Sequence, residues 1–222
     1  MKKLLTSFFA SLGLLMCLPG LSQATLITSS PTGGKTTVLS TLMGSGARSD
    51  SVEASGYHIF APEHEAVWFG DIYFNLDLNG SWKDYEWVGG TCSFVEACTA
   101  TIDLGGLYSS VGGFMNYSTR VFDIPYIDAL AADGTTVLES YNLAESAPIS
   151  SPNTLNAGAF RGISRDTADI AFFRFSGSYL IMHDLTLAGS ASEVPEPASL
   201  ALLGLGLLGL VLVNRRKQSR AS

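Results

Sequence analysis

Residues 66–78 read AVWFGDIYFNLDL, and this stretch decides the fold class. Its side chains are mainly aromatic, β-branched or otherwise apolar, as in the strands of globular proteins. From residue 71 to residue 78 polar and apolar side chains alternate, which places the apolar ones on one face of an extended chain. The stretch therefore predicts a half-buried β-strand, with one face in a core and the other in water.

The chain on either side of this stretch repeats the pattern. Four further segments have the composition of strands with turn residues between them: 57–60, 82–88, 98–104 and 170–187. An Asp-Gly pair between two apolar runs predicts a β-hairpin over residues 126–141, and the Pro, Asn and Gly of residues 145–165 predict a long loop. No long segment keeps the period of an amphipathic helix. We therefore predict an all-β fold, an antiparallel two-sheet β-sandwich.

The composition indicates one folded domain with an acidic surface. The chain has 222 residues, 46% of them hydrophobic and 15% charged, which suits one well-cored domain and is unlike a disordered chain. Between residues 25 and 192 there are 18 acidic and 7 basic residues, a formal charge of -11. Because nucleic acids are held by clustered Lys and Arg, this balance argues against a nucleic-acid partner and is compatible with cation binding.

The first 24 residues have the parts of a secretory signal peptide. A basic start is followed by an apolar run over residues 4–18 and by Ser22 and Ala24, the small residues that signal peptidase reads. We expect cleavage after Ala24 and export through the inner membrane. The exported domain then spans residues 25–192.

The C-terminal end predicts a single transmembrane helix. As a helix, the apolar run over residues 198–213 would rise about 24 Å, slightly less than the roughly 30 Å hydrocarbon core of a bilayer. A basic cluster of Arg215, Arg216 and Lys217 follows it, which places the C-terminus in the cytoplasm and the domain outside. On topology alone, an ordinary single-pass anchor is the alternative.

The residues before this helix read VPEPA at 194–198. Together with the helix and the basic cluster they resemble the PEP-CTERM sorting signal of Gram-negative bacteria that make extracellular polysaccharide. By position, Pro195, Glu196 and Pro197 correspond to the recognition motif and the basic cluster to the stop-transfer element. The resemblance covers residues 193–222. It implies exosortase as a partner beside signal peptidase, transient contact with the membrane, and a final place at the cell surface or in the extracellular matrix.

A second resemblance concerns the exported domain. The Asp-Gly hairpin, GAFRGI at residues 158–163, IAFFRF at 170–175 and HDLTL at 183–187 are ordered as in the C-terminal half of galactose-binding-like jelly-roll domains. The resemblance implies a jelly-roll-like sandwich, in which end loops often bind sugars and a calcium ion often braces the barrel. No sugar motif matches residue by residue, so the resemblance supports the fold more than a ligand.

Cys92 and Cys98 are the only cysteines after signal cleavage, an even number in an oxidising compartment. A short disulfide at a strand junction is favoured over two free thiols, and it would contribute about 2 to 3 kcal/mol. A zinc site would need further Cys or His ligands at suitable spacing, and none is nearby.

The loop after the opening stretch carries a candidate metal site. Asp77, Asn79 and Asp84 offer hard oxygen ligands around a glycine turn, which suits calcium at extracellular concentrations. Calcium is the only cofactor that the sequence suggests. The spacing departs from the EF-hand pattern, and a plain Asn-Gly turn is the favoured interpretation.

Three aromatic residues follow this loop at Trp82, Tyr85 and Trp87. If exposed, they could stack on sugar rings as a glycan-binding surface. Burial is favoured because large aromatic side chains dominate sandwich cores. In a regular strand Tyr85 and Trp87 would share one face.

The sequence has neither a zincin HExxH motif nor a nucleophile elbow. We therefore expect a non-enzymatic surface or matrix protein that contacts polysaccharide. One alternative is an envelope carbohydrate-active hydrolase, which would need two converging carboxylates, for example among Glu63, Glu65, Asp71 and Asp77. The other is a purely structural coat or adhesion protein.

Overall fold

The structure, a computed structural model, describes residues 24–41, 46–91, 98–119, 124–177 and 179–190. Within these ranges the chain is almost entirely β-structure. The described residues form fourteen strands and one short helix, in the order β1 (Ala24–Ile27), β2 (Lys35–Val38), β3 (Arg48–Ser49), β4 (Ser51–Ala54), β5 (Tyr57–Phe60), β6 (Ala66–Tyr73), β7 (Trp82–Thr91), β8 (Thr99–Tyr117), β9 (Tyr126–Leu130), β10 (Val137–Asn142), α1 (Leu143–Ser146), β11 (Ala159–Arg165), β12 (Ile170–Ser176), β13 (Leu180–Met182) and β14 (Asp184–Ser190).

Hydrogen bonds join these described strands into one sheet, and the paired strands are antiparallel. The main path through the sheet runs β10-β9-β12-β8-β13-β7-β6-β3. The strands β5, β11 and β14 also pair with β8 and form branches from this path. The long strand β8 is therefore the element around which the fold is organised.

The two halves of β8 have different neighbours. Residues 99–103 pair with β5 and β12, whereas residues 108–117 pair mainly with β11, β13 and β14, and β12 reaches them only through Ile170 opposite Tyr108. Gly105, with φ of +67°, lies between the halves in a backbone conformation that favours glycine. The predicted separation into two sheets is not confirmed, because β8 belongs to both sets of strands and joins them.

Both halves of β8 contribute to one main core. Ile102 from the first half and Met115 from the second are fully buried in the same cluster as Phe173 of β12 and Leu185 of β14. Burial of such apolar side chains is the main stabilising contribution to a fold of this size. The strands on either side of the glycine are thus held together by packing as well as by hydrogen bonds.

A second, smaller core lies on the other face of β6, β7 and β13. Neighbouring side chains on a strand point to opposite faces, so Val88 enters the main core while Trp87 enters this second one. We call it the aromatic cluster, and its members are Leu76, Trp82, Trp87 and Ile181, with Trp68, Tyr73, Tyr85 and Phe114 packed against it.

The opening stretch is a strand only as far as Tyr73. Beyond it the predicted alternation is wrong, since Phe74 is 86% exposed and Leu78 is 60% exposed. The chain turns here, with the Asn79 amide donating to the Leu76 carbonyl oxygen at 2.9 Å. Asn79 itself is buried, and its side-chain amide donates to the carbonyl oxygens of Tyr117 in β8 and of Ile149 after α1. These tertiary contacts outweigh the local strand pattern.

Of two other sequence predictions, the hairpin over 126–141 is confirmed and the loop over 145–165 is partly wrong. The hairpin is confirmed: β9 pairs with β10, and Gly134 has φ of +69° in the turn between them. The long loop predicted over 145–165 is wrong at its end, because β11 occupies its last seven residues and pairs with both β1 and β8. This pairing is long-range, so loop composition within the segment did not reveal it.

No helix among the described residues is both long and apolar enough to span a bilayer. The predicted transmembrane helix at 198–213 lies outside these residues, as does the predicted signal peptide up to residue 23.

Candidate functional site

The pairing between β6 and β7 contains a bulge. Gly70 lies opposite Trp87 and Ile72 lies opposite Lys83, so the single residue between them on β6 faces three residues of β7, at 84–86. Bulges break the alternation of side chains along a strand and re-aim them, and they are common beside functional sites. Consecutive side chains of β7 can therefore point toward the same space.

Those side chains line an open cleft of about 470 Å³. Its lining, which we call the acidic cleft, consists of Asp71, Asp84, Tyr85, Glu86 and His183. Asp84 and Glu86 are exposed, Tyr85 is half-buried and His183 is only 7% exposed. Asp84 has φ of +56°, a conformation that Asp and Asn tolerate better than most residues. The acidic cleft thus brings three carboxylates and an imidazole to one place.

His183 holds the bulge from the neighbouring strands. Its imidazole bonds through Nδ1 to the backbone carbonyl oxygen of Glu86, and its ring stacks on Tyr85 with the ring centres 3.7 Å apart. Because a carbonyl oxygen can only accept, this bond assigns the proton of a neutral imidazole to Nδ1 and leaves Nε2 as an acceptor.

The aromatic cluster forms the wall behind the acidic cleft. Trp82 lies 5.2 Å from Tyr85 and 6.2 Å from His183 between ring centres, and Trp68 meets Trp87 edge to face at 5.1 Å. Burial raises the pKa of the Tyr73 hydroxyl in this cluster, as does its proximity to Tyr179. Tyr73 therefore stays protonated at neutral pH, and the wall is uncharged.

Comparison with known proteins explains the C-terminal end of the chain. The PEP-CTERM protein-sorting motif matches residues 193–217. The chain is a PEP-CTERM protein. The match contains Pro195, Glu196 and Pro197 and also the basic cluster, so the predicted sorting signal is confirmed. The motif marks an exported protein that exosortase sorts and processes. No curated protein and no solved structure matches this PEP-CTERM protein significantly.

Of the three aromatic residues proposed for glycan stacking, only Tyr85 lines the cleft of this PEP-CTERM protein. Trp82 and Trp87 are each 1% exposed, so they present no free ring face to a sugar, and the favoured prediction of burial is confirmed for both. Tyr85 and Trp87 both pack in the aromatic cluster, in agreement with the predicted shared face. The bulge at 84–86 shifts the alternation, so that Trp82 packs in the same cluster.

The three residues proposed for calcium do not form one ligand set. Asn79 is buried, and its Oδ1 accepts a hydrogen bond from the Ser151 amide at 2.7 Å. Asp77 Oδ2 accepts from the Ser118 hydroxyl, while Asp84 lines the acidic cleft. The prediction of a shared site is therefore corrected, because the asparagine serves as an internal anchor of the loop. No group of three or more His, Cys, Asp or Glu in the described parts of the chain could hold a metal ion.

The four carboxylates named for a hydrolase do not converge. Glu65 Oε2 accepts from the Thr99 amide, and the Glu63 side chain is 89% exposed in a loop. Of the four, only Asp71 lines the acidic cleft. The residues that sequence reasoning missed are Glu86 and His183, since nothing in the sequence marks a bulge or brings residue 183 beside it.

The predicted disulfide cannot be followed to both partners, since Cys92 lies outside the described residues. Its strands do meet: a Cβ added at Gly90 of β7 would lie 2.7 Å from the carbonyl carbon of Cys98, just before β8. Gly90, near the end of β7, is therefore adjacent to the start of β8. The Cys92–Cys98 disulfide stays a prediction.

We expect His183→Ala to destabilise this PEP-CTERM protein by about 2 to 3 kcal/mol, because the variant loses a buried hydrogen bond and a ring stack. Urea unfolding followed by tryptophan fluorescence measures the change. His183→Asn is the matched control, since the asparagine amide can reach the Glu86 carbonyl as Nδ1 does, and it should recover part of the loss. Equal stability of His183→Ala and the parent would show that the imidazole does not hold the bulge.

Proposed function

We propose that the exported domain is a non-enzymatic cell-surface or extracellular-matrix protein that contacts polysaccharide through the acidic cleft. The observation that carries this proposal is the bulge at 84–86, which gathers polar side chains into a concave, open site on a hydrogen-bonded sheet. Ligand sites in proteins are typically concave, with a few polar groups fixed by a rigid scaffold.

The chemistry of the cleft suits a sugar chain. Carboxylates and the Nε2 of His183 accept hydrogen bonds, and sugar hydroxyls donate them. Tyr85 supplies a half-buried aromatic surface with a polar hydroxyl, a combination common at binding surfaces. The open shape would admit a chain that continues past the site in both directions.

The proposal includes a jelly-roll-like sandwich as the scaffold. Strands that pair with either half of β8 share the main core, which is what two layers packed face to face would produce. A scaffold of this kind would hold the bulge rigid and leave the cleft on its outer surface.

The test is retention of the full chain, purified in mild detergent, in native gels that contain extracellular polysaccharide from the producing cells. We expect Tyr85→Ala to weaken retention at least fivefold, because it removes the aromatic wall of the cleft. Tyr126→Ala is the matched control, as Tyr126 is also half-buried but lies on β9, and it should be retained like the parent. Thermal melts of both variants check folding.

Two experimental outcomes would contradict the proposed function and favour one of its alternatives. Release of reducing ends from the polysaccharide, abolished by Glu86→Gln, would make the protein a hydrolase, for which Asp71 and Glu86 would be the candidate carboxylates because both line the acidic cleft. Equal migration of the parent with and without polysaccharide would favour a structural coat or adhesion protein.

A further inference from the structure

We propose that Asn79 is a spontaneous modification site, which deamidates when the chain is unfolded, is protected when the chain is folded, and destabilises the fold once it has reacted. Asn79 and Gly80 form the only Asn-Gly pair in the sequence. Asparagine deamidates fastest when glycine follows it, because a glycine without a Cβ leaves its backbone nitrogen free to approach the asparagine side chain. The inference is independent of the proposed function and of the acidic cleft.

The reaction needs water as its only co-reactant. The backbone nitrogen of Gly80 attacks the side-chain carbonyl carbon Cγ of Asn79, so that a bond forms between these two atoms and the bond from Cγ to Nδ2 breaks. The leaving nitrogen takes the proton of the Gly80 amide and departs as ammonia. Water then opens the resulting succinimide ring at either of its carbonyl groups, which leaves aspartate or isoaspartate at position 79.

The fold requires both members of this labile pair. Gly80 has φ of +94°, and a Cβ there would lie 3.0 Å from the carbonyl oxygen of Ser151 and 3.1 Å from that of Thr154. Asn79 is 8% exposed, and its Oδ1 accepts from the Ser151 amide, which ties the loop between β6 and β7 to the segment after α1. A substitution that removed the reactive pair would therefore also weaken this loop.

The folded structure binds the very group that deamidation must expel. The Nδ2 of Asn79 donates to the Oδ1 of Asn116 at 3.0 Å and to the carbonyl oxygens of Tyr117 and Ile149 at 2.6 and 3.1 Å. These buried hydrogen bonds must break before Nδ2 can leave as ammonia, and breaking them without water is costly. The reaction therefore proceeds from an opened form of the loop or from the unfolded chain, and its rate follows the population of that form.

The product does not fit the same place. After deamidation a carboxylate oxygen replaces Nδ2, and a carboxylate can only accept hydrogen bonds. The three groups around this atom, the Oδ1 of Asn116 and the carbonyl oxygens of Tyr117 and Ile149, are also acceptors. The Asn116 amide cannot turn its Nδ2 toward the new charge without giving up its bonds to Ser151 and Ala157. A buried charge without a donor or counter-charge destabilises the folded state, so the reaction makes unfolding hard to reverse.

The first experiment compares the rate of deamidation in the folded and the unfolded protein. The full chain in mild detergent is held at one mildly alkaline pH, either in native buffer or in urea that unfolds the domain, and peptide mass spectrometry follows the conversion at position 79. We expect the conversion to be at least about a hundredfold slower in native buffer, because a domain of ordinary stability is rarely open. Comparable rates in the two buffers would overturn the proposed protection.

The second experiment introduces the product directly as Asn79→Asp. We expect the folding equilibrium constant, measured by urea unfolding, to fall at least about a hundredfold. Asn75→Asp is the matched control, because Asn75 is exposed and its Oδ1 accepts from the Leu78 amide as a carboxylate would, so the constant should change less than about threefold. Equal stability of the two variants would overturn the proposal. A variant Asn79→Asp that does not fold agrees with it, and the rate comparison in the parent then tests the protection separately.

Discussion

Replacing Gly113 with alanine is expected to destabilise the fold by at least about 3 kcal/mol, because the new methyl group has no space. A Cβ at this position would lie 2.0 Å from the backbone carbonyl oxygen of Asp184, far inside van der Waals contact. The clash involves backbone rather than a rotatable side chain, so β8 and β14 would have to separate. Urea unfolding or a thermal melt measures the loss.

The matched control for this prediction is Gly106→Ala on the same strand. A Cβ there would meet no heavy atom closer than 3.5 Å, and that atom belongs to the flexible side chain of Tyr108. We expect a change in stability within about 1 kcal/mol, since the position is open and its φ is not positive. If Gly113→Ala were as stable as Gly106→Ala, the close approach of β14 to β8 would be wrong.

Asn116→Ala is expected to lower the free energy of unfolding by about 3 kcal/mol or more, because it leaves several buried polar groups without a hydrogen-bond partner. Asn116 is fully buried, and its amide donates to the Asn79 carbonyl oxygen, the Ser151 hydroxyl and the Ala157 carbonyl oxygen. The Oδ1 of Asn116 accepts a hydrogen bond from the side-chain Nδ2 of Asn79 at 3.0 Å. The variant would release the loop between β6 and β7 together with the segment after α1.

A double-mutant cycle isolates this network. Asn79→Ala and Asn116→Ala together should cost clearly less than the sum of the single variants, since the two side chains share one set of hydrogen bonds. Asn75→Ala is the surface control: its Oδ1 accepts one exposed bond from the Leu78 amide, and its loss should cost no more than about 1 kcal/mol. Additive single effects would show that the two asparagines act independently.

The sequence predicted the elements whose cause is local. The Asp-Gly turn forms because glycine adopts a positive φ at no steric cost, and the strands flanking it follow from their own side chains. The same reasoning failed beyond Tyr73. Polar and apolar residues continue to alternate in the sequence there, but β6 ends in the structure. Asn79, six residues beyond β6, is held by the carbonyl oxygens of Tyr117 and Ile149, contacts that no local pattern contains.

Only some residues of the acidic cleft could be predicted from the sequence. Asp71, Asp84 and Tyr85 each drew attention from the sequence, but for three separate reasons, as a catalytic acid, a calcium ligand and a sugar-stacking ring. The bulge brings them together and adds Glu86. His183 joins them because β13 pairs with β7, a register set by the whole sheet.

The sequence by itself determined the all-β class and the sorting signal. Both are encoded in short stretches: side-chain alternation along strands, and a linear motif at 193–217 that is read in order along the chain. Only the tertiary structure decided that β8 joins two sets of strands, that Trp82 and Trp87 pack in one aromatic cluster, and that the acidic cleft exists. These features depend on register between strands far apart in sequence, and one extra residue in a bulge changes which side chains face the core and which face the solvent.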